Sequence, residues 1–213
     1  MKKLKAPLEE MVVYRPGGTD RAIAELAAAT HRLTQRRMRD MLAGKIETKR
    51  LVLRAPIRGD VPDLVKLADN KTIAERLARL PSPYTRADAI GFVEIFAQRP
   101  DERPYAITLD GHLIGVIGFT FLEGQPPQLG YWLGEPYWGK GYMTEAGRAL
   151  IDAAHKTGHY ERIGARALAS NDGSLHVLEK LGFRRLKTKA KSDASHSFGK
   201  PIVALELERP RWM

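Results

Sequence analysis

Between two apolar segments the chain reads Tyr137-Trp138-Gly139-Lys140-Gly141-Tyr142-Met143-Thr144-Glu145-Ala146, a run whose residue types suit the binding of a phosphate. Two glycines spaced two apart let the backbone turn tightly and approach a ligand without interference from a Cβ. If a helix starts just after them, its first N–H groups lack intrahelical partners and its partial positive charge favours an anion in the turn. Lys140 can add a charge-assisted contact from the rim. The third glycine of a dinucleotide fingerprint is absent, and no Ser or Thr follows the lysine as a Walker A loop requires. A bare Gly-x-Gly also serves as a plain strand-to-helix turn, so the loop taken alone leaves both readings open.

Other chemistries are narrowed by what the chain contains. With no cysteine there is no disulfide framework, no thiolate metal site and no covalent Cys-acyl step. His155 and His159 are four apart, but Gly158 intervenes near a helix end and no Glu follows His155, so no metal is expected.

The elements that must position the loop follow from periodicity and turn formers. Glu47 to Arg54 suits a first strand, with Leu51 and Leu53 on its better-buried face. Val61 to Arg79 predicts one or two helices, and residues 86–98 another, with Ala89, Phe92, Val93 and Phe96 as its apolar stripe. Tyr105 to Leu109 runs into Asp110-Gly111 and His112 to Phe121 runs away from it, the strongest hairpin signal in the chain. Gln128 to Leu133 reads as the next strand after the Pro126-Pro127 stop. A helix over about Thr144 to Lys156 carries Ala146, Ala149, Leu150, Ala153 and Ala154 on one face. Arg162 to Leu168 is a strand, Ser174 to Lys180 a short helix closed by Gly182, and Phe183 to Thr188 and Ile202 to Glu208 the last strands. This order predicts an α/β fold: a mixed, largely antiparallel central sheet flanked by helices, preceded by a helical extension.

The extension, residues 1–46, reads as a basic segment, helical from about Asp20 to Gly44, with Ile23, Leu26, Ala27, Thr30, Leu33, Arg37 and Met41 near a 3.6-residue period. Such a helix needs an apolar partner, either the body of the domain or a second copy in a homodimer. The chain has 213 residues and a formal charge of +10, with 43% hydrophobic and 28% charged residues, an ordinary globular composition. Residues 1–50 hold 12 basic and 6 acidic side chains, so more than half of the excess lies on the first quarter of the chain. No apolar stretch approaches a membrane span, and Glu9 and Glu10 interrupt the start, which favours a cytoplasmic protein without membrane contact.

Four segments in order, Glu47 to Arg54, Leu129-Gly130-Tyr131-Trp132-Leu133, Trp138 to Ala146, and Asn171-Asp172-Gly173-Ser174 with Leu178 to Phe183, resemble the GCN5-related N-acetyltransferases (GNAT). Within that family they are most similar to the branch of ribosomal-protein N-terminal acetyltransferases of the RimJ/RimL type. The resemblance covers residues 47–213 and implies one N-acetyltransferase domain over that span, using acetyl-CoA and no metal. It implies that Trp138, Gly139, Lys140, Gly141, Tyr142, Met143 and Thr144 cradle the pyrophosphate, that Tyr131, Trp132 and Leu133 bond pantetheine through their main chain, and that Asn171 contacts the cofactor. The wider family usually has Gln or Arg where Trp138 stands and a small residue where Met143 stands. Many members carry a tyrosine acid at the position of Leu178, which this chain cannot use. In the branch resembled a serine matching Ser174 meets the leaving sulfur instead.

Ser174 and Asn171 also suit a helix start, so capping competes with these roles. For the base, Asp193 lies near a carboxylate of the branch, and Glu135 follows the central strand; either also fits a solvated loop. His176 and His196 read as surface or packing residues.

The expected activity is transfer of an acetyl group from acetyl-CoA to a primary amine, on a protein or peptide N-terminus or on a small molecule. The acceptor would lie among segments near Tyr84, Phe121 to Gln128 and Asp193 to Lys200. Two other readings stay beside it. One is a nucleic-acid or ribosome-binding module using Arg32, Arg36, Arg37, Arg39 and Lys45, although no zinc spacing or aromatic platform accompanies these residues. The other is an acyl-CoA-binding protein without turnover.

Overall fold

The computed structural model describes residues 17–77, 80–187 and 200–209, with side chains from residue 20. Its centre is an eight-stranded sheet in the order β1-β2-β3-β4-β5-β6-β8-β7. The strands are β1 (Lys45–Glu47), β2 (Val52–Arg54), β3 (Glu102–Leu109), β4 (His112–Thr120), β5 (Gln128–Leu133), β6 (Arg162–Leu168), β7 (Arg184–Arg185) and β8 (Ile202–Glu208). Every neighbouring pair is antiparallel except β5 and β6. This is the mixed, largely antiparallel sheet that the element order predicts.

The hairpin between β3 and β4 forms where Asp110-Gly111 demands it. Both residues have positive φ, 51° and 86°, the requirement of a two-residue turn whose twist matches that of the strands. β3 and β4 then lie at the centre with both faces covered. Tyr105, Ile107, Ile117 and Phe119 belong to one apolar layer, and Ala106, Leu113 and Val116 to the other. The first layer is closed by α5 (Tyr142–Lys156), whose Met143, Ala146, Leu150 and Ala154 are buried, and by Leu175 and Leu178 of α6 (Asp172–Lys180). The second is closed by α2 (Val61–Ala68) and α4 (Arg86–Glu94) through Val61, Leu64, Ala89 and Val93. A short α3 (Lys71–Ala74) follows α2.

Two predicted strands are shorter than expected. Glu47 to Arg54 is not one strand: Thr48 turns the chain by accepting the Leu51 N–H on its Oγ1 at 2.9 Å, and β1 and β2 pair across that turn. The expected boundary after residue 46 therefore falls inside β1. Of the strand expected over Phe183 to Thr188, Arg184 and Arg185 pair with β8, the Leu186 N–H donates to the Ala204 carbonyl, and Thr188 is outside the described residues.

α1 (Gly17–Met41) is the helix expected in the extension, but it turns a different face inward. Ile23, Leu26 and Leu33 are 62%, 69% and 68% exposed. Hydrogen bonds decide the orientation: Gln35 donates to the Phe121 carbonyl, Arg39 to the Glu102 carbonyl and Tyr160 to the Met38 carbonyl, the last at 2.8 Å. Leu42, just past the helix, enters the core at 3% exposed. Arg39, read as part of a basic surface, is thus turned toward the domain. Among the described residues no helix is long and apolar enough to cross a membrane.

Candidate active site

β5 and β6 are in register only at Gln128 with Gly164 and Leu129 with Ala165. Beyond that point they separate, so the sheet carries a split that widens toward the C-terminal ends of both strands. The Gly134 N–H donates to the Ile114 carbonyl at 2.9 Å. By the alternation of an antiparallel strand, the peptide groups of Trp132 then face β4, and those of Tyr131 and Leu133 face the split. The carbonyl of Leu133 accepts the Trp138 indole N–H at 2.6 Å. Trp138 is therefore a brace from the loop to the strand end.

The loop itself is held open at the start of α5. Gly139 and Gly141 have φ of 73° and 78°, conformations that L side chains rarely adopt. Gly141 is the N-cap residue of α5, and no side chain caps that terminus. The first intrahelical bond runs from the Glu145 N–H to the Gly141 carbonyl, which leaves the N–H groups of Tyr142, Met143 and Thr144 outside the helical ladder. Met143 is 6% exposed, its side chain in the core beneath the loop. Its size therefore does not obstruct the loop's outer side.

One arginine braces this turn. The Arg50 side chain donates to a Glu145 carboxylate oxygen at 2.7 Å and to the Lys140 carbonyl at 3.1 Å, and its guanidinium lies 4.4 Å from the Tyr142 ring centroid. Its backbone N–H and the Thr48 hydroxyl share the other Glu145 oxygen, at 2.9 and 2.7 Å. Burial pushes the Glu145 pKa up, but these hydrogen bonds and the Arg50 charge outweigh it and hold the carboxyl below its ordinary 4.5. The bracing by Arg50 and Thr48, which lie inside the Glu47 to Arg54 segment, has no signal in the loop's spacing. From Gly141 an open groove of about 550 Å³ follows α5 past Thr144 and Arg148 to Lys180.

Across the split stands the first turn of α6. Asn171 is its N-cap, and its Oδ1 accepts the Ser174 N–H at 3.1 Å. The cap is thus made by Asn171, and the Ser174 hydroxyl is engaged elsewhere: it lies 3.0 Å from the hydroxyl of Tyr131. Tyr131 is also 3.0 Å from the Ser174 carbonyl, to which it can donate. Burial raises the Tyr131 phenol to about 12, with the Ser174 contact acting in the opposite direction. The resemblance implies a role for Tyr131 only through its main chain, and its side chain reaching Ser174 has no signal in local spacing.

The other candidates are not gathered here. Glu135 accepts from the Asn70 side chain at 2.7 Å rather than contacting Ser174 or Asn171. Asp193 and His196 lie outside the described residues. Tyr84 and Phe121 are 6% and 3% exposed and pack in the two separate apolar layers, so their side chains do not line a cleft. His155 is buried, and burial foremost, then the Arg209 charge, lowers its pKa against the opposing pull of Asp152. A wall beside the end of β5 comes instead from the α3 region. Arg76 lies 5.0 Å from the Trp138 ring centroid, and Lys200 reaches the Glu75 carbonyl at 3.4 Å.

A split parallel pair beside an uncapped helix start behind two left-handed glycines fits a pantetheine arm ending in a pyrophosphate. The acetyltransferase (GNAT) domain model matches residues 50–184, and the chain belongs to the GNAT acetyltransferase family. It is 40% identical over 79 residues to a probable N-acetyltransferase, YjcK, of Bacillus subtilis, covering 36% of this chain and 44% of that protein. It is 32% identical over 88 residues to the ribosomal-protein-serine acetyltransferase of Escherichia coli, covering 40% and 49%. These matches span less than half of those relatives' lengths. The fold is also that of RimL, a ribosomal L7/L12 alpha-N-protein acetyltransferase solved with coenzyme A, at a TM-score of 0.67 and 22% identity over 77% of this chain and 98% of that one.

Proposed function

We propose that the protein transfers an acetyl group from acetyl-CoA directly to a primary amine. The observation that carries this reading is the split between β5 and β6, bounded at one end by the uncapped start of α5 and at the other by Ser174. The peptide groups of Tyr131 and the N–H of Leu133, whose carbonyl holds Trp138, would bond the pantetheine arm. The N–H groups of Tyr142, Met143 and Thr144 would hold the pyrophosphate. Arg148 and Lys180 would flank the nucleotide along the groove that leaves Gly141.

Transfer needs a deprotonated amine, stabilisation of the developing oxyanion and neutralisation of the leaving thiolate. The amine nitrogen forms a bond to the thioester carbonyl carbon, the C–S pair stays on sulfur, and the nitrogen loses one proton. Ser174 would hydrogen-bond the sulfur. Glu135 and Asp193 are the carboxylates that could take the amine's proton, directly or through water. The acceptor we favour is a protein or peptide N-terminus, because the relatives include a ribosomal-protein-serine acetyltransferase; a small-molecule amine is the competing substrate.

Calorimetric titration with acetyl-CoA tests the donor. Saturable binding is expected, and Gly141→Glu, folded by circular dichroism, should abolish it by filling the phosphate turn. Absence of binding to the folded wild type would sink the assignment. Thiol release on peptides and on small amines then identifies the acceptor, and the same assay on Glu135→Gln and Asp193→Asn shows which carboxylate, if either, supports turnover.

A further inference from the structure

Tyr131 and Ser174 form a two-hydroxyl unit that bridges the split, and its hydrogen count is informative. Each hydroxyl has one hydrogen. Within reach are three acceptors: the Tyr131 oxygen, Ser174 Oγ and the Ser174 carbonyl, each serine oxygen lying 3.0 Å from the phenol. Two arrangements are open to the pair, and only the first uses both hydrogens. In one, Ser174 Oγ–H donates to Tyr131, which donates to the Ser174 carbonyl. In the other, Tyr131 donates to Oγ, and the serine hydrogen is free to point into the split.

Because Asn171 already supplies the cap, neither arrangement costs the helix its N-terminal bond. Ser174 sits in the first turn of α6 and Tyr131 on β5, so the pair joins the two elements that separate where the sheet opens. A phenol raised to about 12 stays protonated, and so remains a donor, throughout the neutral range.

We propose that Tyr131 is a positioning residue for Ser174: by turning its O–H from the Ser174 carbonyl to Oγ, it releases and polarises the serine hydrogen for the leaving sulfur. The inference rests on the acetyl-CoA reading above. No proton leaves the pair. The C–S bond breaks with its electrons on sulfur, the thiolate receives the Ser174 hydrogen bond, and the proton shed by the amine neutralises the thiolate through solvent.

The test uses coenzyme A alone, so it needs no acceptor. The thiol of bound coenzyme A is titrated by its thiolate absorbance in wild type, Tyr131→Phe, Ser174→Ala and the double variant. The expected result is a bound thiol in wild type more acidic than the free thiol, at least tenfold less thiolate in each single variant at a pH below the pKa of every form, and no further loss in the double. Losing a brace between β5 and α6 would lower thermal stability without moving this titration, which separates a structural role from the proposed one. An unmoved titration in folded Tyr131→Phe overturns the proposal, as does a shift there that Ser174→Ala does not share.

Should Tyr131→Phe fail to fold, 3-fluorotyrosine at position 131 keeps the ring and makes the hydroxyl a stronger donor. The bound thiol should then be more acidic than in wild type, and an unchanged value overturns the proposal. If coenzyme A does not bind the wild type, the reading of the whole site falls; if it binds with an unshifted thiol, only the Tyr131 inference does.

Discussion

Ser174 is relieved of the duty its sequence context suggests. A serine three residues after an asparagine at a helix start could cap that helix, but the Asn171 side chain takes the exposed N–H. The serine hydroxyl is left to Tyr131 and to whatever occupies the split. If it bonds the leaving sulfur, Ser174→Ala should lower kcat by about 10²-fold, the low end for such assistance. The Kd for acetyl-CoA should stay within about threefold, a change under 1 kcal/mol. Steady-state thiol release beside calorimetry separates the two; an unchanged kcat would return Ser174 to a packing role.

At the scale of elements, the Gly139–Gly141 turn is held by a strand hairpin that is remote in sequence. Thr48 and Arg50 on the β1–β2 turn grip Glu145 in the first turn of α5, and Arg50 also holds the Lys140 carbonyl. Arg50→Ala should leave the fold intact but loosen the turn, weakening acetyl-CoA by about tenfold, or about 1.4 kcal/mol, in a calorimetric titration. The same contact gives a pH signature. Glu145 has a folded pKa below its ordinary 4.5, so the unfolded chain binds the proton more readily. Its contribution is present above about pH 4.5 and is lost as pH falls through the folded value. The stability gap between wild type and Arg50→Ala should therefore narrow on acidification, which thermal melts at about pH 7 and about pH 3 would show. A gap independent of pH would mean that the ion pair adds nothing.

For the whole molecule, α1 is joined to the domain by one stripe and leaves another uncovered among the described residues. Replacing Ile23, Leu26 and Leu33 together by serine should change the unfolding free energy by less than about 1 kcal/mol, as for exposed positions generally. Leu42→Ala, at a site 3% exposed, should cost about 2–5 kcal/mol. Urea unfolding at two protein concentrations measures both. A wild-type midpoint that rises with concentration, and a triple variant that loses this dependence, would show a second copy covering the exposed stripe.

Much of the fold was legible because its signals are local. Asp110-Gly111 admits the positive φ of a tight hairpin turn, the apolar period of α5 marks its buried face, and the glycines at 139 and 141 announce a backbone conformation that other residues resist. Those three features, with the order of the segments, determined the sheet and the tight turn before α5, and the resemblance of four segments pointed to the family. What only the tertiary structure decided are pairings between distant residues. Arg50 meets Glu145 across 95 positions and Tyr131 meets Ser174 across 43. α1 offered two stripes, and side-chain bonds to the carbonyls of Glu102 and Phe121, over 60 positions away, selected the less apolar one. Periodicity reports how a helix divides its own faces. Which face is buried depends on partners that the helix meets only after the chain has folded around it.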